Sequence, residues 1–370
     1  MATRLKSSAK ALNSTNLASL ITGLEGRWGS LSEQREFPSS FGSREPFFPE
    51  PNLKQINRIL NWIDSLPAGL ERDFFSIALG SVLVAMSNYS YEPSLSTRTK
   101  SGRPAQGTVN ALKVFSARVD AMLSDLATVE WEECWGKATV WTGSSLNGTW
   151  HLEDSSVDLV ITSPPYLNNY HYVRNSRPQL FMLGLISGYQ ELQHLQDENF
   201  GKYWQTVRSR DFPEQLVSSE RLSHVVHLLR AQKHEKSEVY SGKGWAAYAI
   251  HYFNDCSVSL ERCLNALTDG GNAFFVLGDS YLQGVHVPVQ EIFAQIAESV
   301  GFSIVACQRV RKRPGGSTVR ARRSTNSAAK FELSEYVVHV QKPQSEEVLD
   351  LECGFSSAVG PPRTAATNAR

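Results

Sequence analysis

Residues 157–166, with the sequence V-D-L-V-I-T-S-P-P-Y, constrain the fold of this chain more than any other segment. The apolar run 157–161 is short and rich in β-branched residues, which indicates a strand inside a sheet. Each of the two prolines fixes φ and lacks an N–H, and the residue before a proline is held in an extended conformation. Residues 162–166 therefore predict a stiff loop at the carboxyl end of a buried strand. Open α/β sheets bind their ligands at that end.

The chain beyond residue 136 alternates between strand-like and helix-like patterns. This alternation predicts an α/β fold with a parallel sheet that is covered by helices on both faces. The predicted strands are 138–142, 157–162, 272–277, 303–309 and 336–341, and the predicted helices are 245–267 and 288–300. The second helix begins at a proline and ends before a glycine, which are typical helix boundaries.

The first third of the chain has a different pattern. Apolar residues recur at helical spacing from Leu53 to Ile63, and the stretches 70–88 and 109–126 share this periodicity. These patterns predict a helical block. The predicted organisation is an irregular arm over 1–50, the helical block over 51–130, a catalytic core over 136–342 with a helical insert at 186–244, and a mobile tail over 343–370.

Composition excludes several classes of protein. The chain has 370 residues with 37 basic and 37 acidic side chains, so no global field attracts it to nucleic acid. Its five cysteines are scattered and form no C-x-x-C pair, which argues against a disulfide framework and against a zinc site. No apolar stretch approaches the length of a membrane span. We expect a cytoplasmic protein with no metal and no membrane partner.

A basic segment follows the fourth predicted strand. It carries eight basic residues and no acidic residue between positions 309 and 330. Such a run is typical of a solvated loop, but this one lies between two strands on the side of the sheet where the proline loop emerges. Binding to nucleic-acid phosphates is therefore the favoured interpretation.

The T-S-P-P-Y loop resembles motif IV of the S-adenosylmethionine-dependent DNA amino-methyltransferases. Its serine form is most similar to the group that methylates N4 of cytosine. The upstream segment 142–144 and the downstream residues Tyr170, Tyr172 and Arg174 also fit the layout of that family. The resemblance implies a Rossmann-like methyltransferase sheet of which this chain supplies the third to seventh strands. It also implies S-adenosyl-L-methionine as the cofactor and double-stranded DNA as the substrate.

The same resemblance implies a role for individual residues. The implied catalytic residues are Ser163, Pro164, Pro165 and Tyr166. The implied cofactor-binding residues are Thr142, Gly143, Ser144 and Thr162. The implied substrate-binding residues are Tyr170, Tyr172, Arg174, Arg309, Arg311, Lys312 and Arg313. In this chemistry the target base leaves the duplex and its amino group is held by the proline loop.

Two features of the family have no counterpart in this chain: the glycine-rich motif of the first strand and the acidic end of the second strand. The glycines Gly23, Gly26 and Gly29 follow no predicted strand and do not form such a motif. A sheet without these strands exposes an apolar parallel edge, which promotes aggregation. The chain is thus expected to be half of a split enzyme or a truncated product. A complementing polypeptide that carries the glycine-rich motif is the favoured alternative.

Several functions remain open from the sequence. The leading hypothesis is a cytosine-N4 DNA methyltransferase, and the second is an adenine-N6 DNA methyltransferase, because the loop accepts either amino group. A third is a non-catalytic DNA-binding subunit of a modification system. RNA is a further possible substrate, because related proline loops act on amines in RNA.

Overall fold

The computed structural model describes residues 12–38, 41, 46–91, 95–128, 138–147, 152–167, 171–207, 211–232, 242–313 and 333–344. The predicted tail beyond residue 344 and the basic residues at 320–330 lie outside the described residues.

The N-terminal part of the chain is helical. Its helices are α1 (Ser14–Arg27), α2 (Glu50–Ser65), α3 (Leu70–Val82) and α4 (Ala111–Thr128), and a short antiparallel hairpin, β1 (Tyr89–Tyr91) and β2 (Leu95–Thr97), lies between α3 and α4. The three predicted helices of this block are therefore confirmed. Helix α2 begins with a proline in its first turn, where the missing N–H is not needed.

The helical block has its own hydrophobic core. The rings of Trp62 and Phe75 pack edge to face with centroids 4.8 Å apart, and Phe115 of α4 lies 6.3 Å from Phe75. Aromatic pairs of this kind add about 0.5–1.5 kcal/mol each beyond the burial of their area. Leu17 of α1 is fully buried in the same cluster, so part of the predicted irregular arm packs as a helix of the block.

Helices dominate the segment that follows the proline loop. They are α5 (Tyr172–Asn175), α6 (Arg177–Met182), α7 (Tyr189–Glu198), α8 (Trp204–Val207), α9 (Glu220–Arg230), α10 (Gly242–Ala266) and α11 (Val289–Val300). The insert is helical, as predicted, and the two predicted helices of the core correspond to α10 and α11. Every helix in the described part of the chain is too short or too polar to cross a membrane.

The core contains a four-stranded mixed sheet. Its strands are β3 (Val157–Thr162), β4 (Leu267–Gly278), β7 (Ser303–Arg313) and β8 (Leu333–Gln341), in the order β3-β4-β8-β7, and a small hairpin of β5 (Ser280–Leu282) and β6 (Val285–Val287) follows β4. Four of the five predicted strands are confirmed. Strand β3 is parallel to β4, whereas β8 is antiparallel to both of its neighbours.

The prediction of a wholly parallel sheet was therefore wrong. Parallel neighbours need a crossover connection, which is usually a helix. Segment 314–332, which joins β7 to β8, is rich in Gly, Ser and Arg and lacks helical apolar periodicity. The sequence of this segment does not predict a crossover helix, which agrees with the antiparallel pairing of β7 and β8.

The prediction that helices cover both faces of the sheet was also wrong for the described residues. Helices α10 and α11 pack on one face, where Ala273, Phe275 and Val338 are buried. Residues of the opposite face are more accessible, and Leu159 and Ile161 of β3 are 50 % and 71 % exposed. Among the described strands, β3 pairs only with β4, so its other edge carries no described partner. The sheet thus presents an apolar edge and face at β3.

The predicted strand over 138–142 was wrong. The structure describes these residues as irregular, with Trp141 48 % exposed. Strand propensity mainly reflects packing against cross-strand neighbours. These residues have β-branched and aromatic side chains but no neighbouring strand in the described structure, so their local preference is not realised.

Candidate active site

The proline loop leaves the sheet at the carboxyl end of β3. Thr162 is the last residue of the strand and pairs with Phe275 of β4. The next residue, Ser163, is exposed, and its Oγ donates a hydrogen bond to the Val276 carbonyl at 3.3 Å. This bond fixes the hydroxyl proton toward β4. The oxygen lone pairs of Ser163 therefore face no described donor and can accept hydrogen bonds from a ligand.

Two buried hydroxyl groups anchor the loop to the core. Tyr252 of α10 donates from its hydroxyl to the Pro165 carbonyl at 2.9 Å, and Ser280 Oγ donates to the Leu167 carbonyl at 3.0 Å. Tyr252 is fully buried, and this burial raises the pKa of its phenol well above the usual value, so it remains a donor at neutral pH. None of the described residues donates to the Pro164 carbonyl. That carbonyl is a second acceptor next to Ser163.

Tyr166 links the loop to strand β8. Its hydroxyl donates to Glu335 Oε1 at 3.4 Å, and the buried Glu335 also forms an ion pair with Arg311 Nε of β7. The hydrogen bond that Arg311 donates to the Glu335 carboxylate raises the pKa of Arg311. The guanidinium of Arg311 is largely exposed, so it can bind an anion with its outer nitrogens while Glu335 holds the inner one.

A cavity of about 180 Å³ opens beside Tyr166. Residues of the proline loop, of the insert and of α10 line it, namely Pro165, Tyr166, His171, Asn199, Gly201, Lys202, Tyr203, Trp204, Trp245 and Tyr248. Helix α10 supplies Trp245 and Tyr248 from its first turns, close to the carboxyl edge of the sheet. The cavity is therefore a largely aromatic space at the same edge as the proline loop.

The predicted substrate-binding residues lie in different places. Tyr172 is 47 % exposed and does not line the cavity, and Tyr170 is outside the described residues. Arg174 donates to the Tyr203 hydroxyl at 2.9 Å and to the Leu95 carbonyl at 3.4 Å. It therefore supports the cavity wall and joins it to the helical block.

Strand β7 carries the other predicted substrate-binding residues. Arg309, Arg311 and Lys312 are exposed, and Arg313 pairs through its backbone with Leu333 of β8. Since β7 is the outer strand at this edge of the described sheet, the three exposed cations form a basic surface beside the Tyr166 contact with Glu335.

The predicted cofactor-binding residues are not brought together. Ser144 Oγ donates to the Glu198 carbonyl at 2.7 Å, and the neighbouring Ser145 carbonyl accepts from Arg262 Nη1 at 3.0 Å. Arg262 lies in the last turns of α10, next to the amino end of β4, whereas Thr162 lies at the carboxyl end of β3. Ser144 and Ser145 are thus held by α7 and α10, whereas Thr162 lies in β3. The described residues do not by themselves form a cradle for S-adenosylmethionine.

The sequence interpretation missed most of the cavity. It did not single out His171, or the aromatic residues Tyr203, Trp204, Trp245 and Tyr248 that the structure gathers around Tyr166. The available signal was the unusual density of aromatic residues at 203–204 and 245–248. Aromatic clusters are more often core than binding site, so this pattern alone did not indicate a ligand pocket.

Comparison with known proteins finds similarity to Type II methyltransferases. No protein-family model matches the chain. Over 191 residues it is 25 % identical to the Type II methyltransferase M.BsoBI of Geobacillus stearothermophilus. The matched stretch is 47 % of this chain and 37 % of that protein. Over 163 residues it is 26 % identical to the Type II methyltransferase M.AvaI of a Nostoc species. This matched stretch is 41 % of this chain and 32 % of that protein.

A solved structure of a DNA modification methylase from Thermus thermophilus is also similar, with 15 % identity and a TM-score of 0.26 over 55 % of this chain and 52 % of that one. The matched stretch spans about a third of the length of the curated relatives. The chain is thus related to Type II methyltransferases over somewhat less than half of its own length.

Proposed function

We propose that this chain is the catalytic-loop part of an S-adenosylmethionine-dependent DNA methyltransferase that acts on N4 of cytosine. One observation carries the proposal. The loop 162–166 leaves β3 at the carboxyl edge of the sheet, with the hydroxyl of the exposed Ser163 able to act as an acceptor and with an aromatic cavity beside Tyr166. The similarity to Type II methyltransferases supports the same assignment.

The acceptor oxygens suit the chemistry of an aromatic amine. The exocyclic amino group of a base is a poor nucleophile because its lone pair is delocalised into the ring. Ser163 Oγ and the Pro164 carbonyl can accept one hydrogen bond each from that amino group, which favours a tetrahedral nitrogen with a localised lone pair. The cofactor supplies the methyl group when it is bound. The rigid prolines hold both acceptors in place, and such positioning supplies much of the rate enhancement.

The target base must leave the duplex to reach these groups. Extrusion costs a few kcal/mol in lost stacking and pairing, and contacts inside the pocket offset that cost. Tyr166 offers an aromatic face at the mouth of the cavity. The exposed cations Arg309, Arg311 and Lys312 on β7 can bind phosphates and position the duplex without reading its sequence.

The proposal includes a complementing polypeptide. Leu159 and Ile161 leave an apolar surface at the edge of the described sheet, and the backbone on that side of β3 has no described partner. Exposed strand edges of this kind normally pair with another strand or are covered. A polypeptide that adds strands there, together with the glycine-rich cofactor motif, would complete both the sheet and the cofactor site next to Thr162.

The second candidate is adenine-N6 methylation. Ser163 and Pro164 would accept hydrogen bonds from the amino group of adenine equally well, because that group has the same two donors. The serine form of the loop, which resembles the cytosine-N4 group, favours cytosine.

The test is base analysis of DNA by mass spectrometry. The chain would be produced in a host without DNA methylation, alone and together with each polypeptide encoded beside it. We expect N4-methylcytosine only in a pairing that supplies the glycine-rich motif, and loss of that product in the Tyr166→Ala variant. N6-methyladenine instead would support the second candidate, and unmodified DNA in every pairing would refute methyltransferase activity. Calorimetric binding of S-adenosylmethionine to the chain alone would refute the need for a complementing polypeptide.

A further inference from the structure

The cavity beside Tyr166 has the size and walls of a site for one planar ring. Pockets for drug-sized ligands usually have volumes of about 300–1,000 Å³. This cavity, at about 180 Å³, is smaller and suits a single heterocycle rather than a whole nucleoside cofactor with its amino-acid part.

The aromatic walls come from three separate parts of the chain. Trp204 and Trp245 stack with centroids 4.7 Å apart and planes inclined by 17°, and Tyr248 meets Trp245 edge to face at 6.0 Å. On the other side, Tyr203 packs against His171 with centroids 4.2 Å apart. Stacking on aromatic side chains contributes about 1–3 kcal/mol per nucleobase and is tolerant of base identity. The walls thus recognise a flat π system.

His171 supplies a polar group in this aromatic space. Its Nδ1 accepts a hydrogen bond from the backbone N–H of Arg174 at 3.3 Å. Burial, together with the charge of Arg174, lowers the pKa of His171 to about 4, so the ring is neutral at pH 7. Because Nδ1 is the acceptor, the remaining proton is on Nε2. None of the described residues accepts from Nε2, which leaves it as a donor for a ligand.

Hydrogen bonds fix the loop 199–202, which lines the cavity, in the absence of a ligand. Gly201 has a positive φ of 65° and donates its N–H to Asp255 Oδ2 of α10 at 2.9 Å. Lys202 donates to the Asn199 carbonyl at 3.1 Å and lies 3.9 Å from Asp255 Oδ2. Burial raises the pKa of Asp255 to about 6, and Lys202 acts against that rise. The loop is therefore tied to α10 before any ligand arrives, and this reduces the entropy lost on binding.

We infer that this cavity binds the extruded target base, and that His171 is the residue that selects it. The inference rests on the proposed function and specifies its substrate site. Cytosine carries a ring acceptor, N3, directly beside the carbon that bears its amino group, and Nε2–H of His171 can donate to it. Thymine carries an N–H at position 3, which would place a donor against the Nε2–H donor. The walls select a flat ring, and His171 selects an acceptor edge.

The test measures binding of free nucleosides to the full-length chain. The probes are deoxycytidine and thymidine, observed by saturation-transfer NMR up to millimolar concentration. We expect deoxycytidine to bind about 10-fold more tightly than thymidine, which is the size of effect that one hydrogen bond gives. The His171→Ala variant should lose most of this preference. The His171→Gln variant keeps an N–H donor and should retain it within about 3-fold.

A second wall residue and a matched control separate recognition from misfolding. Trp245→Leu should weaken both nucleosides about 10-fold, whereas Trp245→Phe keeps an aromatic face and should bind nearly normally. Tyr189→Ala changes an aromatic residue of α7 that is 64 % exposed and does not line the cavity, so binding should be unchanged. Each variant would first be shown to unfold at the temperature of the parent chain.

The possible outcomes are distinct from those of the methylation test. If deoxycytidine does not bind, or binds equally to the His171→Ala and Trp245→Leu variants while both remain folded, the inferred base site is refuted even if the enzyme methylates DNA. If DNA remains unmodified in every pairing but deoxycytidine binding depends on His171 and Trp245, the cavity is confirmed as a site for an aromatic heterocycle and only the methyltransferase proposal fails.

Discussion

The proposed function assigns one set of side chains to the methyl-transfer reaction and another set to DNA binding. Tyr166 lines the cavity and follows Ser163 and Pro164 in the proline loop, whereas Arg309 and Lys312 are exposed on β7. The buried Glu335 contacts both Tyr166 and Arg311, so it joins the two groups. This separation allows the two functions to be tested by different substitutions.

Replacing Tyr166 with Ala should reduce the rate of methylation far more than it reduces affinity for DNA. The lost stacking surface corresponds to about 10- to 100-fold in rate. Tyr166→Phe retains the ring and loses only the contact with Glu335, so a smaller decrease is expected. Single-turnover methylation and fluorescence anisotropy with duplex DNA measure the two effects. Equal losses in both assays for Tyr166→Ala would contradict the assigned role.

The double variant Arg309→Ala with Lys312→Ala should behave in the opposite way. Each phosphate contact contributes about 0.9 to the slope of log affinity against log salt concentration. Removing two contacts should lower that slope by about two and weaken binding to every DNA sequence alike. The same anisotropy assay at several salt concentrations provides the measurement. An unchanged slope would show that β7 does not touch the phosphates.

His171 should make the fold sensitive to acid. Its pKa in the folded chain is lowered to about 4, below the value of about 6.5 in unfolded chains. The stability that the neutral ring contributes is therefore complete above pH 6.5 and is lost as the pH falls through 4. Its full loss amounts to at most about 3 kcal/mol.

Urea unfolding at pH 7 and pH 5 measures this contribution. The decrease in stability between the two pH values should be smaller in the His171→Gln variant than in the parent chain. His224→Gln alters an exposed histidine on α9 and serves as the matched control. The same decrease in all three proteins would show that His171 is not the group responsible.

At the scale of elements, strand β3 both carries the proline loop and forms an edge of the described sheet. Its carboxyl end holds the proline loop, and its side chains Leu159 and Ile161 form the apolar surface at the edge of the described sheet. Helices α10 and α11 cover only the other face. The element that positions the chemistry thus also exposes apolar side chains at an edge of the described sheet.

Charged residues on β3 should block pairing at this edge. The double variant Leu159→Lys with Ile161→Lys should remain folded, because both side chains are at least half exposed, and it should show less self-association than the parent chain. Sedimentation velocity measures the effect. Leu216→Lys, at a similarly exposed leucine outside the sheet, is the control. If self-association is equal in all three proteins, β3 is not the associating edge.

At the scale of the whole molecule, the sequence predicted most elements but not their arrangement. The helices of the N-terminal block and strands β3, β4, β7 and β8 follow local periodicity, which a single sequence contains. The direction of β8 and the uncovered face of the sheet depend on long-range pairing. Segment 138–142 has strand-forming residues, yet it lacks a partner among the described strands and stays irregular.

The candidate site shows the same limit. The loop 163–166 was recognisable because four adjacent residues carry its pattern. The cavity beside it was not, because His171, Tyr203 and Trp245 are far apart in the sequence and meet only through the packing of α10 against the insert. Residues 142–144 resemble a strand end, but Ser144 contacts Glu198 and the neighbouring Ser145 contacts Arg262.

The position of β3 has a consequence for regulation. The strand that carries the reacting loop has an edge with no partner among the described strands, so a docking strand would hydrogen-bond within a few residues of Ser163. Under the proposed function, the rate of DNA modification in a cell would follow the product of two protein concentrations rather than either one. A cell could then silence the enzyme by withholding a single subunit, with no inhibitor and no degradation of this chain.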